Sequence, residues 1–157
     1  DAVVASMLIC EMTAYYKKQG LSLVDVLEGI YKKYGYYYAT QKSFTSEGQS
    51  GLAKIKQIME TLRTNPPKEI CGSKVIKIDD YGKSVSYDMV NNTEIKLTLP
   101  QSNVLCYFMK DGSSFIVRPS GTEPKIKSYL CSVGKTSEDA AKKLDSLVEE
   151  GTKLLGF

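Results

Sequence analysis

The chain has 157 residues, 42% hydrophobic and 25% charged, enough for one full globular domain with an attached piece and too short for two large domains. Its net charge of +3 comes from acidic and basic residues that alternate along most segments, as solvated faces do; this does not imply nucleic acid, and a mildly basic balance also suits a site for phosphorylated metabolites. There is no histidine, which removes the usual zinc signatures and any Ser-His-Asp or Cys-His pair, and Cys10, Cys71, Cys106 and Cys131 are scattered without a C-x-x-C spacing, so they read as buried free thiols.

The chain starts at Asp1 rather than Met and enters an apolar helical pattern at once, so the expectation is a fragment of a longer polypeptide. Residues 2–10 are apolar but are broken by Ser6 and followed by Glu11, too short a stretch to cross a bilayer. They lack the basic leader and small-residue cleavage site of a secretory signal. The expectation is a soluble, cytoplasmic chain without a membrane partner.

Residues 2–18 are apolar on nearly every side, with Val3, Val4, Met7, Leu8, Ile9, Met12, Tyr15 and Tyr16, and a helix of that kind must be enclosed by other structure. Gly20 fits its end. Ser22 and Asp25 then form an S-x-x-D start signal, after which Val24, Leu27, Ile30, Tyr31 and Tyr34 recur at helical spacing up to Gly35. Residues 36–45, rich in Tyr, Thr and Phe, read as a strand leading into a polar turn over 46–50, and the domain boundary is placed near Tyr36. Leu52, Ile55, Ile58, Met59 and Leu62 share one face of a third helix, which Asn65-Pro66-Pro67 ends.

From Val75 to Ser132 the period is two. Strands are predicted over 74–79, 84–89, 94–99, 104–110, 114–118 and 125–132, with Asn91-Asn92 and Asp111-Gly112 as turn signals. A last helix begins at Thr136 or Ser137 and runs to Leu155, with Ala140, Leu144, Leu147, Val148, Leu154 and Leu155 on one stripe. The resulting class is α+β, a mostly antiparallel sheet with two helices on one face, preceded by a two-helix segment. Residues 1–35 form that helical segment and 36–157 the domain.

One stretch carries chemistry: Arg118-Pro119-Ser120-Gly121-Thr122-Glu123-Pro124-Lys125-Ile126-Lys127, between two predicted strands. Gly121 lets backbone N–H groups turn toward a ligand, and Ser120 and Thr122 add hydroxyl donors. Arg118 supplies a planar fork matched to two phosphate oxygens. Pro119 and Pro124 restrict the loop and so lower the cost of ordering it. Lys125 and Lys127, two apart on a strand, share a face and add to one field. By composition alone the same pattern also describes a common surface turn beside a solvated strand.

The string R-P-S-G-T-E-P-K-I-K resembles the phosphate-binding loop in the C-terminal domain of the α-D-phosphohexomutases, a family that includes phosphoglucomutases and phosphomannomutases. The F-T-S-E-G and T-L-R-T-N-P-P stretches extend the similarity, which covers the whole chain. The resemblance implies the tail of a third mutase domain over 1–35 and a domain similar in fold to the TATA-binding protein over 36–157. It implies substrate-phosphate contacts from Arg118, Ser120, Gly121 and Thr122, with Lys125 and Lys127 as further cations. It also implies a parent enzyme, an intramolecular phosphotransferase that interconverts hexose 1-phosphate and 6-phosphate through a phosphoserine and a hexose 1,6-bisphosphate, with Mg²⁺. The phosphoserine loop, the metal loop and the sugar-reading loop of that family have no counterpart here, so no catalytic or metal-binding residue is assigned and the chain alone is expected to be inactive. The nearest acidic pair, Asp79-Asp80, would point its carboxylates to opposite faces of a strand and make a poor metal site. Glu123 is expected to be a solvent-exposed helper of the loop, with a salt bridge to a neighbouring base as the other possibility. The implied partners are a hexose phosphate and other domains of the same polypeptide, and a phospho-ligand binding module without catalysis is the alternative.

Overall fold

The computed structural model describes residues 1–46, 48–121 and 123–157, with Gln49 described by its backbone alone. The chain divides into two compact units, Asp1–Tyr36 and Tyr37–Phe157.

The first unit holds two helices. Helix α1, Ala2–Lys17, is capped by Asp1, whose Oδ1 accepts from the Val3 and Val4 amides at 2.9 and 3.3 Å. Helix α2, Leu23–Tyr34, starts with the reciprocal cap that the Ser22 and Asp25 spacing predicts. The Ser22 side chain and amide both bond Asp25, which holds its carboxyl below the usual carboxylate range. The Tyr31 and Tyr36 rings stack at 5.2 Å. Neither helix buries a residue within this chain, so the apolar surface of α1, with Val3, Met7 and Leu8 well exposed, is not covered here. No helix among the described residues is long and apolar enough to cross a membrane.

The second unit is a sheet under two helices. Its elements in chain order are β1 (Tyr36–Thr45), α3 (Gln49–Thr64), β2 (Glu69–Ile70), β3 (Ser73–Asp80), β4 (Val85–Asp88), β5 (Thr93–Lys96), β6 (Leu105–Met109), β7 (Ser114–Pro119), β8 (Lys125–Gly134) and α4 (Ser137–Leu154). The strand order is β1-β8-β7-β6-β3-β4-β5, with β2 paired to β3. The pairs from β2 to β8 are antiparallel. The Ser46 amide donates to the Pro124 carbonyl just past one end of the β1–β8 pair, and the Tyr38 and Ser137 hydroxyls bond at the other, so β1 also runs antiparallel to its neighbour.

Three differences from the sequence expectation stand out. β2 was not expected: two residues give no periodicity to read. β5 ends at Lys96 rather than Leu99, because all four of its residues are exposed on the sheet edge and Leu97 bonds back to Ser84. The thiols are not uniformly buried. Cys106 lies in the core and Cys131 is half-covered, whereas Cys10 is exposed on the uncovered α1 and Cys71 is exposed on the turn after β2.

Burial follows the pleat. Along β8, Ile126, Ser128, Leu130, Ser132 and Gly134 are buried and the residues between them are half-covered. This inward row meets Ile55, Met59 and Leu62 of α3 and Leu147 and Leu155 near α4, together with Leu105, Tyr107, Phe115 and Val117 from the neighbouring strands. Each large side chain so buried contributes about 1.5–3 kcal/mol. Small residues on β8 let α4 lie close. The Ser132 hydroxyl donates to the Ala140 carbonyl at 2.7 Å, and a Cβ on Gly134 would come within 2.8 Å of the Ala140 Cα. The Tyr107 hydroxyl donates to the Leu62 carbonyl at 3.0 Å, joining the middle of the sheet to the end of α3. Both helices are thereby held on one face, and the outward residues of β7 and β8 on the other face are half-covered or, at Arg118, exposed.

Candidate functional site

The motif stretch forms the β7–β8 hairpin. Arg118 stands opposite Lys127 and Pro119 opposite Ile126. The Ser120 amide donates to the Lys125 carbonyl at 2.7 Å, which closes the connection over residues 121–124. Within it, the Lys125 amide donates to the Glu123 carbonyl at 2.7 Å, and the Glu123 amide reaches the Ser120 hydroxyl at 3.4 Å.

The pleat sorts the side chains. Val117 and Ile126 point into the core, so Arg118 and Lys127 belong to the face opposite the helices, and Lys125, two residues before Lys127 on β8, belongs to the same face. The structure therefore brings Arg118, Lys125 and Lys127 to one side of the hairpin tip, while Ser120, just past β7, lines a cavity on the helix side. Gly121 is exposed at that tip with open space around its Cα. Thr122, the remaining predicted contact, lies outside the described residues. Lys125 is partly engaged: its Nζ lies 3.1 Å from Glu123 Oε2. Glu123 is thus both exposed and bridged to a neighbouring base.

The electrostatics of the cross-strand pair are unusual. Arg118 is exposed and Lys127 half-buried, and among the described residues neither side chain makes a hydrogen bond or an ion pair. Two like charges directly opposite on a sheet destabilise it. An anion between them would relieve that repulsion.

On the helix side of the same turn lies a cavity of about 660 Å³ with Pro119, Ser120 and Gly121 on one wall and Leu52, Ile55 and Met59 of α3 as its apolar floor. The remaining wall, made by Gly82 and residues 101–103, is fixed by Arg63. The Arg63 side chain is 13% exposed, and its Nε donates to both Asp80 oxygens at 3.2–3.3 Å while its Nη2 donates to Asn103. Asp80 also accepts from the Gly82 and Lys83 amides at 2.9 and 3.3 Å, and Gln101 donates to the Gly82 carbonyl. Sequence reasoning did not single out this assembly. It joins residues up to 40 positions apart, and no local spacing signals it.

Asp79 and Asp80 face opposite ways, as adjacent strand residues should. Asp79 bonds Lys77 at 3.0 Å and the Ser86 hydroxyl, while Asp80 is committed to Arg63. Both carboxylates are engaged, so the pair does not fit a Mg²⁺ ion. Among the described residues no cluster of three metal-ligating side chains gathers. Two of the thiols are held in the protonated form: burial, then Asp79, pushes Cys106 up to about 11, and burial followed by Glu150 pushes Cys71 up to about 12.

No protein-family model matches the chain. Phosphoglucomutases from three strains of Staphylococcus aureus are each 40% identical to it over 149 residues, covering 94% of this chain and 27% of each relative. Among solved structures, the open form of parafusin, an exocytosis-sensitive phosphoprotein and phosphoglucomutase from Paramecium, matches with a TM-score of 0.66 at 16% identity, over 99% of this chain and 27% of that one. The second likeness is one of fold. The chain therefore spans about a quarter of the length of the curated relatives it matches.

Proposed function

We propose, from its similarity to about a quarter of a phosphoglucomutase, that this chain is the substrate-phosphate-binding part of such an enzyme. In this reading residues 36–157 are its C-terminal domain and residues 1–35 the tail of the domain before it. The longer enzyme interconverts hexose 1-phosphate and hexose 6-phosphate through a phosphoserine and a hexose 1,6-bisphosphate, acts in the cytoplasm, and draws its Mg²⁺ ligands from residues outside this chain. Glucose phosphates are the favoured substrates and mannose phosphates the second choice.

The observation that carries the reading is the Arg118–Lys127 pair, two cations opposed across β7 and β8 with no counter-charge among the described residues. In the proposed role Arg118 supplies a two-pronged donor to the phosphate that is not being transferred. Lys127 and Lys125 add charge, and the Ser120 and Thr122 hydroxyls with the Gly121 amide complete the donor set. Binding the remote phosphate orients the reacting end, so its contribution is felt in kcat as well as in KM. Contacts made only to phosphate suit a substrate that must be accepted in both orientations. One such clamp, open to water on its other side, binds on the order of millimolar by itself.

The test is Arg118→Ala in the complete polypeptide, assayed with glucose 1-phosphate. Charge-assisted hydrogen bonds contribute about 1.5–3 kcal/mol, so kcat/KM should fall about 10- to 100-fold while thermal melting stays within about a degree. Unchanged kcat/KM would remove Arg118 from the site.

A further inference from the structure

We infer that the first turn of α3 sets the position of the phosphate-binding turn, with Gly51 and Ser46 as positioning residues. The inference rests on the phosphate reading above. The turn over residues 121–124 is tied at its neck by the β7–β8 ladder and by the bond from the Ser120 amide to the Lys125 carbonyl. Those bonds lie in the sheet and leave the tip free to tilt about the hairpin axis. Among the described residues, one backbone hydrogen bond ties the turn to β1 and opposes that tilt: the Ser46 amide, just past β1, donates to the Pro124 carbonyl at 2.9 Å.

Ser46 is backed in turn by α3. A Cβ placed on Gly51 would stand 2.8 Å from the Ser46 carbonyl carbon, closer still to its oxygen, and 3.2 Å from Pro124 Cβ. The atoms met are backbone and a proline ring, so no rotamer change gives room. Gly51 is required for space: its absent side chain lets the helix, the end of β1 and the flank of the turn meet at one point. Any larger residue must push Ser46, and Ser46 holds Pro124. A group of donors converging on one anion tolerates displacements of only about 0.5 Å, so the push is felt at Arg118, Ser120 and Lys127.

The experiment titrates the 157-residue chain with inorganic phosphate at constant ionic strength, following backbone amide resonances, for wild type, Gly51→Ala and Ser46→Pro. Ser46→Pro deletes the N–H that reaches Pro124 and adds nothing to the face of α3, and its effect on the preceding residue favours the extended conformation that β1 already has. The wild-type amides of Arg118, Ser120 and Lys127 should shift and saturate in the millimolar range, with affinity reduced about tenfold or more in both variants. By linkage, phosphate should also slow hydrogen exchange at the wild-type Ser46 amide, which a purely structural bond would not show. If the wild type does not respond to phosphate, the phosphate reading falls and this inference with it. If the wild type responds but both variants bind equally well, or if Ser46 exchange in the wild type is indifferent to phosphate, the positioning role alone is overturned. Should Gly51→Ala fail to fold, Ser46→Pro and the wild-type exchange decide.

Discussion

Two arginines of the second unit are treated in opposite ways. Arg63 is enclosed, with both oxygens of a buried carboxylate and an asparagine oxygen around its guanidinium. Arg118 is exposed, stands opposite a lysine, and among the described residues its guanidinium has no hydrogen-bond or ion-pair partner. The chain could have satisfied Arg118 by placing a single acid at position 127. A charge matched internally serves the structure, whereas a charge left unmatched, beside a second of the same sign, costs a little stability and keeps the field open to an outside anion.

The sharpest way to break this comparison is to remove each guanidinium in turn. Arg63→Met keeps much of the side-chain volume but leaves the Asp80 carboxylate, 3% exposed, with only the Gly82 and Lys83 amides. Breaking one side of a buried pair costs about 3–5 kcal/mol, or about 6–20 °C in melting temperature for a chain of this size. Arg118→Met should change stability by less than about 0.5 kcal/mol in either direction. Equal losses from the two variants would mean that Arg118 is as structural as Arg63.

Much of the second unit was legible in the sequence because its signals are local. Period-two alternation marks β8, and the same alternation assigns Arg118, Lys125 and Lys127 to one face once the hairpin is accepted. The Ser22 and Asp25 cap and the Thr136 start of α4 were legible for the same reason, since each needs only residues three apart. What escaped notice involves distant partners: Arg63 against Asp80 and Asn103, and Ser46 against Pro124. Both were within sight all the same, since Ser46 lies in the F-T-S-E-G stretch and Arg63 in T-L-R-T-N-P-P. Those stretches carried resemblance without a stated reason, and the contacts supply one. The thiols were misjudged for a related cause. A cysteine is buried only if its element is covered, and coverage of α1 and of the turn after β2 is not a property of nearby residues.

A smaller effect of opposite sign sharpens the comparison. Lys127→Glu turns the repulsive cross-strand pair into an attractive one, which should stabilise the domain by about 0.2–1 kcal/mol. The denaturant midpoint should rise with an unchanged slope while phosphate binding is lost. A destabilised Lys127→Glu variant would show that Arg118 and Lys127 are already neutralised by some other feature, and the case for an open anion site would weaken with it.

The smallest expected effect concerns reactivity. Arg118 and Cys71 are both exposed, but exposure alone does not make a thiol reactive. Burial of the sulfur, with Glu150 second, pushes this thiol up to about 12, and the Cys71 amide is itself bonded to Glu150 at 2.7 Å. A raised value means less thiolate at any given pH, so alkylation of Cys71 by iodoacetamide should keep rising about tenfold per pH unit through pH 10, with no plateau. Glu150→Gln removes the carboxylate's repulsion but leaves the desolvation, so the thiol should fall part of the way and react several-fold faster at pH 8.5. A plateau below pH 10, or a rate indifferent to Glu150, would mean that local charge does not govern this surface group. The same reasoning applies at the other turn: what an exposed side chain can do is decided by the charges placed next to it, and at Cys71 those are acidic where at Arg118 they are basic.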